Sequence, residues 1–210
     1  FFILALMDLY QADFDTKWLV HANNLMLQML QLFENPEGGF FMTAKDDEQL
    51  FIRANPSFDN PIPSGNSIAA MILLKFGKIT SEQSYIECAK SVIDAFSPQL
   101  THAPTLMAFM LCAFDFFVGP SQEIVIAAKR PEESEAQKMI RLIRKTYLPY
   151  SILLFHHADD IKNSLEHIAP FVKNQTTIDG KAAVYICNNY ACGSSITSAA
   201  KLETELKKLH

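Results

Sequence analysis

No run of apolar residues in this chain approaches the roughly 20 that a membrane-spanning helix needs, although 49% of its 210 residues are hydrophobic. The apolar start, residues 1–7, lacks a basic flank and is shorter than a signal peptide. It reads as the inside of a helix cut from a longer protein. Basic residues are dispersed: 18 Lys and Arg against 23 Asp and Glu give a net charge of −5. No basic stripe offers a footprint for nucleic acid. The four cysteines, Cys88, Cys112, Cys187 and Cys192, do not form the disulfide framework of a secreted domain, and a reducing cytoplasmic setting is expected. Glycine is scarce, with seven in the chain, and no period of 20–50 residues repeats clearly.

Bulky apolar material is abundant. Sixteen phenylalanines supply a substantial core. Residues 1–118 carry helical periodicity. Phe2, Leu6, Leu9 and Tyr10 share one face. A second helix is predicted over about 15–33 from Trp18, Leu19, Ala22, Leu25, Met26, Met29 and Leu32. Trp18 reads as core and His21 as a hydrogen-bonded structural histidine; Asn35-Pro36 ends the helix. A third helix begins near Ser64 and stops at Gly77. Ser81 is the predicted cap of a fourth, which ends near Ser97-Pro98. A fifth, about 103–117, is apolar nearly all round, which predicts a central position.

After Gly119-Pro120 the pattern changes. EIVIAA (123–128), SILLF (151–155) and AAVYIC (182–187) read as buried strands. Pro131 opens a helix that ends before Pro149. Further helices are expected over 160–172 and 198–209. Strands alternating with helices imply parallel crossovers. The predicted fold class is thus a helical domain, 1–118, followed by a small three-stranded parallel α/β unit, 119–210.

The most informative stretch is the long connection 38–66, GGFFMTAKDDEQLFIRANPSFDNPIPSGN. It holds three of the seven glycines and three of the ten prolines. Phe40, Phe41, Leu50, Phe51, Ile52 and Phe58 predict that it packs. A long packed loop between helices is a place where a helical scaffold builds a site.

Three segments, GGFF (38–41), RANPSFDNPIPSGNS (53–67) and AVYICNNYAC (183–192), together resemble one family in order and spacing. It is the family of thioredoxin-domain-containing proteins typified by bacterial YyaL and by spermatogenesis-associated protein 20. The resemblance covers essentially the whole chain. It implies an N-terminal thioredoxin-like domain, absent here, and an (α/α)6 toroid similar to N-acylglucosamine 2-epimerases and six-hairpin glycosidases, of which residues 1–118 would be the last helices. Five helices cannot close such a ring, so an exposed apolar surface is expected where the remaining toroid helices would lie. Where the epimerases place a Tyr-His pair, this chain has PSGNS. None of its six histidines falls in the loop, so epimerase chemistry does not transfer on fold alone.

Two constellations carry candidate chemistry. In the first, Asp59 is a candidate general acid or base. Arg53 would hold a carboxylate or pair with Asp59, Ser64 and Asn66 would bind sugar hydroxyls, and Phe41 offers a stacking face. The structural alternative makes Ser64 or Asn66 a helix cap, uses Arg53 and Asp59 to tie the loop and sends the aromatics to the core; the capping preferences favour it. Asp46, Asp47 and Glu48 are further acids, more in keeping with a solvated turn. In the second constellation, Cys187 and Cys192 with His156 have the ligand types of a zinc site, without an evident fourth ligand. A regulatory disulfide and two partly buried thiols are the other readings. No cofactor is implied. The leading function reading is a carbohydrate-related binding or processing module with a small carbohydrate ligand. The alternative is a non-catalytic scaffold or redox-linked accessory module for the thioredoxin-like domain.

Overall fold

The computed structural model describes residues 1–47, 52–158 and 165–209. The chain divides into two compact units. One comprises Phe1–Tyr10, Lys17–Lys78 and Glu82–Gly119; the other comprises Gln11–Thr16, Ile79–Ser81 and Pro120–His210.

The first unit is helical. Helix α1, Phe2–Asp13, buries Ile3, Leu6, Met7 and Tyr10, the spacing that puts side chains on one face. Helix α2, Lys17–Phe33, buries Leu19, Ala22 and Met26. Trp18 is only half-buried, with the Lys17 ammonium 4.5 Å from its ring centre, and His21 is exposed rather than structural.

Helix α3, Gly65–Thr80, is the central one. Ile68 to Leu74, Phe76 and Ile79 are all buried. The expected stop at Gly77 is corrected: the helix runs through it. A Cβ there would meet Ile86 Cδ1 at 2.6 Å, so this glycine permits close approach of the next helix, α4, Gln83–Ala95. Ser81 does not cap α4. It adopts φ 64° in the left-handed region, and Glu82 takes the cap position without a side-chain bond. Helix α4 ends at Ala95, close to Ser97-Pro98 as expected, and Pro98 lies in the first turn of a separate short helix, α5, Ser97–His102, where its missing N–H is harmless.

The expected fifth helix is shorter, because a 3-10 turn, Pro104–Leu106, precedes it. Helix α6, Ala108–Val118, buries Met110, Ala113 and Phe116 but exposes Leu111, Phe114 and Val118. The central position predicted for it belongs to α3. An all-round apolar helix records a tendency to be covered, and periodicity does not name the neighbour.

The second unit holds a mixed sheet of four strands in the order β2-β1-β3-β4. Strand β1, Gln122–Ala128, is buried throughout. Helix α7, Ser134–Lys145, presents Ala136, Met139, Ile140 and Ile143 inward and leads to β2, Ser151–His157, parallel to β1. The three-stranded parallel expectation is corrected here. Strand β3, Ala183–Asn188, runs antiparallel to β1, and a two-residue strand β4, Ala191–Cys192, pairs antiparallel with β3. The reason lies in the connection. A parallel strand needs a crossover that carries the chain back along the sheet. Among the described residues of 158–182 there are turns, an isolated bridge between Ile178 and Lys181 and the 3-10 helix Pro170–Asn174, and no α-helix. The start of the helix expected over 160–172 lies outside the described residues. Helix α8, Ala199–Leu206, closes the unit, with Ser198 Oγ accepting from Lys201 N. No helix among the described residues is long and apolar enough to cross a membrane.

Candidate functional site

In the first unit the motifs of the long loop meet each other. The turn after α2 needs two left-handed residues, and Gly38 (φ 102°) and Gly39 (φ 82°) supply them. A Cβ on Gly38 would lie 2.6 Å from Ala95 Cβ, and one on Gly39 would lie 3.0 Å from Asn66 Oδ1. The glycine pair therefore lets the turn sit against α4 and lets Asn66, in the first turn of α3, reach the backbone beyond it. Asn66 is 1% exposed. Its Oδ1 accepts from Phe40 N at 2.6 Å. Its Nδ2 lies 3.1 Å from Phe40 O, 2.8 Å from Asn55 Oδ1 and 2.8 Å from Pro56 O. Asn55 in turn donates to Gly38 O at 3.2 Å. One buried amide thus ties the start of the loop, at Phe40, and its middle, at Asn55 and Pro56, to α3.

Asp59 makes the second tie. Its Oδ1 accepts from Ser64 N and Ser67 Oγ, both at 2.7 Å. Its Oδ2 accepts from Phe109 N at 2.7 Å and Met110 N at 3.4 Å. Those amides belong to the first turns of α3 and α6, where N–H groups lack helical partners and favour negative charge. One carboxylate serves two helix starts. Ser64 is the cap of α3, its Oγ accepting from Ser67 N at 3.0 Å. The Ser64 hydroxyl, 2.8 Å from Ser67 Oγ, donates into the same chain of bonds.

Arg53 does not pair with Asp59. It donates to the Thr43 carbonyl and to Thr43 Oγ1 at 3.5 Å, and its guanidinium lies 4.0 Å from the centre of the Phe41 ring. Phe40 is core, Phe41 is half-buried, and Ile52 and Phe58 are exposed, so the loop packs less completely than its aromatics predict. Asp46 and Asp47 are exposed; Glu48, Leu50 and Phe51 lie outside the described residues. Also in this unit, burial pushes the Cys88 thiol up to about 12, helped by the charge of Glu34 and a hydrogen bond to it.

In the second unit the strand register gathers a polar group that the sequence did not show. Glu123 pairs with Cys187, which pairs with Cys192; Ala127 pairs with His156. Alternation along the strands places Glu123, Tyr185, His156 and both cysteines on one face. The antiparallel course of β3 puts Cys187 at the opposite end of β1 from His156, so the three side chains weighed as a minor metal reading do not converge. Cys187 and Cys192 are joined as a disulfide and neither offers a thiolate in this state. Among the described residues no group of three His, Cys, Asp or Glu is arranged to hold a metal ion. His156 instead has Gln175 O 2.6 Å from Nδ1 and Glu166 Oε1 3.1 Å from Nε2. Tyr185 Oη donates to Thr176 O at 2.6 Å. The segment 170–176 therefore covers this face.

Glu123 is fully buried, and its Oε2 accepts from Tyr190 N at 3.3 Å. Burial, and then the Glu123 charge, push the Tyr190 phenol up, while a hydrogen bond with Ser81 pulls it down. Glu123, Glu166, Gln175 and Tyr185 were missed as site residues. A lone acid in EIVIAA was the one available signal. Elsewhere in this unit a groove of about 260 Å³ is lined by residues including Phe14, Glu132, Arg141 and Arg144, and no sequence-predicted site residue borders it.

These observations define a helical unit tied by a buried amide and a buried-side carboxylate, with a small mixed α/β unit carrying one disulfide. The chain is similar over its whole length to spermatogenesis-associated protein 20 of Rattus norvegicus, with 27% identity over 212 residues. The human protein of that name is 26% identical over the same span, and an uncharacterized protein of Caenorhabditis elegans is 26% identical over 99% of the chain. The chain spans 26% of the rat protein and 28% of the nematode one. No protein-family model matches it.

Proposed function

We propose that the chain is a non-catalytic scaffold module of a longer protein, in which the loop 38–67 joins helices rather than performing chemistry. The observation that carries this reading is the Asp59 carboxylate, whose two oxygens accept four bonds from the starts of α3 and α6. A general acid or base needs a free position toward a reacting proton, and Asp59 spends its acceptors on the fold. Asn66 and Ser64 are spent in the same way. The apolar face of α6 with Leu111, Phe114 and Val118 exposed fits a module covered by other parts of a chain about four times as long, such as the remaining helices of an (α/α)6 toroid and a thioredoxin-like domain.

The carbohydrate-related reading keeps one supporting feature, the half-buried Phe41–Arg53 stack, which presents an aromatic and a cation on the same loop. It is the weaker reading, because the polar partners it needs are engaged with backbone. A thermal-shift series with monosaccharides, amino sugars and their phosphates separates the two. The scaffold reading expects no saturable shift in the wild-type protein. A saturable stabilisation that disappears in a folded Phe41→Ala or Arg53→Ala protein would establish a carbohydrate site instead.

A further inference from the structure

We propose that Cys187 and Cys192 form a thiol–disulfide exchange site that a dithiol opens at Cys192, releasing the β3–β4 hairpin from its place over Glu123. Three features of the second unit carry this. The two sulfurs differ in access: Cys187 is fully buried between β1 and β4, whereas Cys192 is half-buried on the short edge strand. Attack by an external thiolate is therefore directed to Cys192, the less buried cysteine, whose Sγ has Gln175 Nε2 at 3.1 Å. Second, the bond spans a sequence separation of 5. A loop that short gives a small entropic stabilisation, so its effect is local. What it holds locally is a two-residue turn, Asn189 (φ 48°) and Tyr190 (φ 65°). Both residues are in the left-handed region that glycine or asparagine fills most readily and that a tyrosine rarely adopts. Third, that turn is the cover of a buried acid. Tyr190 N donates to Glu123 Oε2 at 3.3 Å, and the Tyr190 ring packs 5.2 Å from that of Phe171.

One thiolate of the dithiol attacks Cys192 Sγ; the new S–S bond forms as the Cys187–Cys192 bond breaks, and Cys187 leaves as a thiolate that is protonated once the opened hairpin admits water. The second thiolate of the reductant attacks its own sulfur partner in the mixed disulfide, closing the oxidised reductant and expelling Cys192 as a thiolate, which is then protonated. Two electrons pass to the protein. With the bond open, two-residue β4 and a turn in an unfavourable backbone region remain, and Tyr190 leaves Glu123.

The test uses the folded wild-type protein at neutral pH. Glutathione is added as a monothiol probe, the mixture is acid-quenched, and the adduct is mapped by peptide mass spectrometry. In parallel, hydrogen exchange is followed with dithiothreitol. The expected result is an adduct on Cys192 and not Cys187, complete reduction by dithiothreitol without denaturant, and at least tenfold faster exchange confined to 187–192 and neighbouring β3 amides. An adduct on Cys187, reduction only after unfolding, or unchanged exchange on reduction would each overturn the proposal. The Cys187→Ser/Cys192→Ser protein should reproduce the fast exchange without reductant; if it does not fold, the wild-type reduction alone decides.

Discussion

The loop 38–67 and the hairpin 183–192 are both held down by specific side chains, and they are held by different means. The loop is tied by uncharged and charged hydrogen bonds from two side chains, Asn66 and Asp59, to backbone groups. The hairpin is tied by one covalent bond at the edge of a sheet. A buried polar tie is indifferent to reductant and costly to remove, because each partner left behind is unsatisfied. A short disulfide contributes less and depends on the redox state around it. The same chain thus carries one joint built for permanence and one that can be opened.

The largest effect that would sharpen this contrast is expected from Asn66→Ala. It strands the Phe40 N–H and C=O and the Pro56 carbonyl, and should cost about 3 kcal/mol at roughly 1–3 kcal/mol per buried orphan. Thermal unfolding should shift down by about 6–12 °C for a chain of this size. Next comes Asp59→Ala, which removes the shared cap of α3 and α6 and should cost about 2 kcal/mol or somewhat more, at about 1 kcal/mol per cap. Asp59→Asn should recover part of that, since an amide oxygen still accepts. A denaturant midpoint measured for the pair checks the order; equal midpoints for wild type and Asp59→Ala would break the comparison on the loop side.

Reduction of Cys187–Cys192 is smaller. The chain-entropy account gives at most about 2 kcal/mol for so short a loop, and the midpoint with and without reductant reads it directly. The smallest effect concerns the free thiols. Cys112 is exposed, whereas Cys88 is lifted to about 12, so at pH 8 it is protonated and a poor nucleophile. Iodoacetamide at that pH should label Cys112 and spare Cys88 in the folded protein, with Cys88 labelling appearing only as the pH rises toward its raised value. Equal labelling rates would contradict the combined effect of burial and the Glu34 carboxylate on Cys88.

How far these joints were legible in the sequence follows from how local their causes are. Helix periods, strand lengths and the cap Ser64 lie within a few residues of one another and were readable. So was the union of the GGFF and PSGNS segments as one place of interest, because glycine and asparagine are demanded by turns and caps. The partners of Asp59 were not readable: Phe109 and Met110 are 50 and 51 residues away, and nothing in either segment names the other. The direction of β3 was not readable either. Alternation by two is the same in parallel and antiparallel strands, and the deciding feature was a connection that lacked a crossover helix among its described residues. That reversal set Cys187 opposite Glu123, at the far end of β1 from His156.

The most direct test of the contrast is residue-resolved hydrogen exchange on the wild-type protein with and without dithiothreitol. The account predicts that reductant accelerates exchange in the hairpin around 187–192 and leaves the Phe40, Ser64 and Phe109 amides at their protected rates. Acceleration at both joints, or at neither, would contradict it.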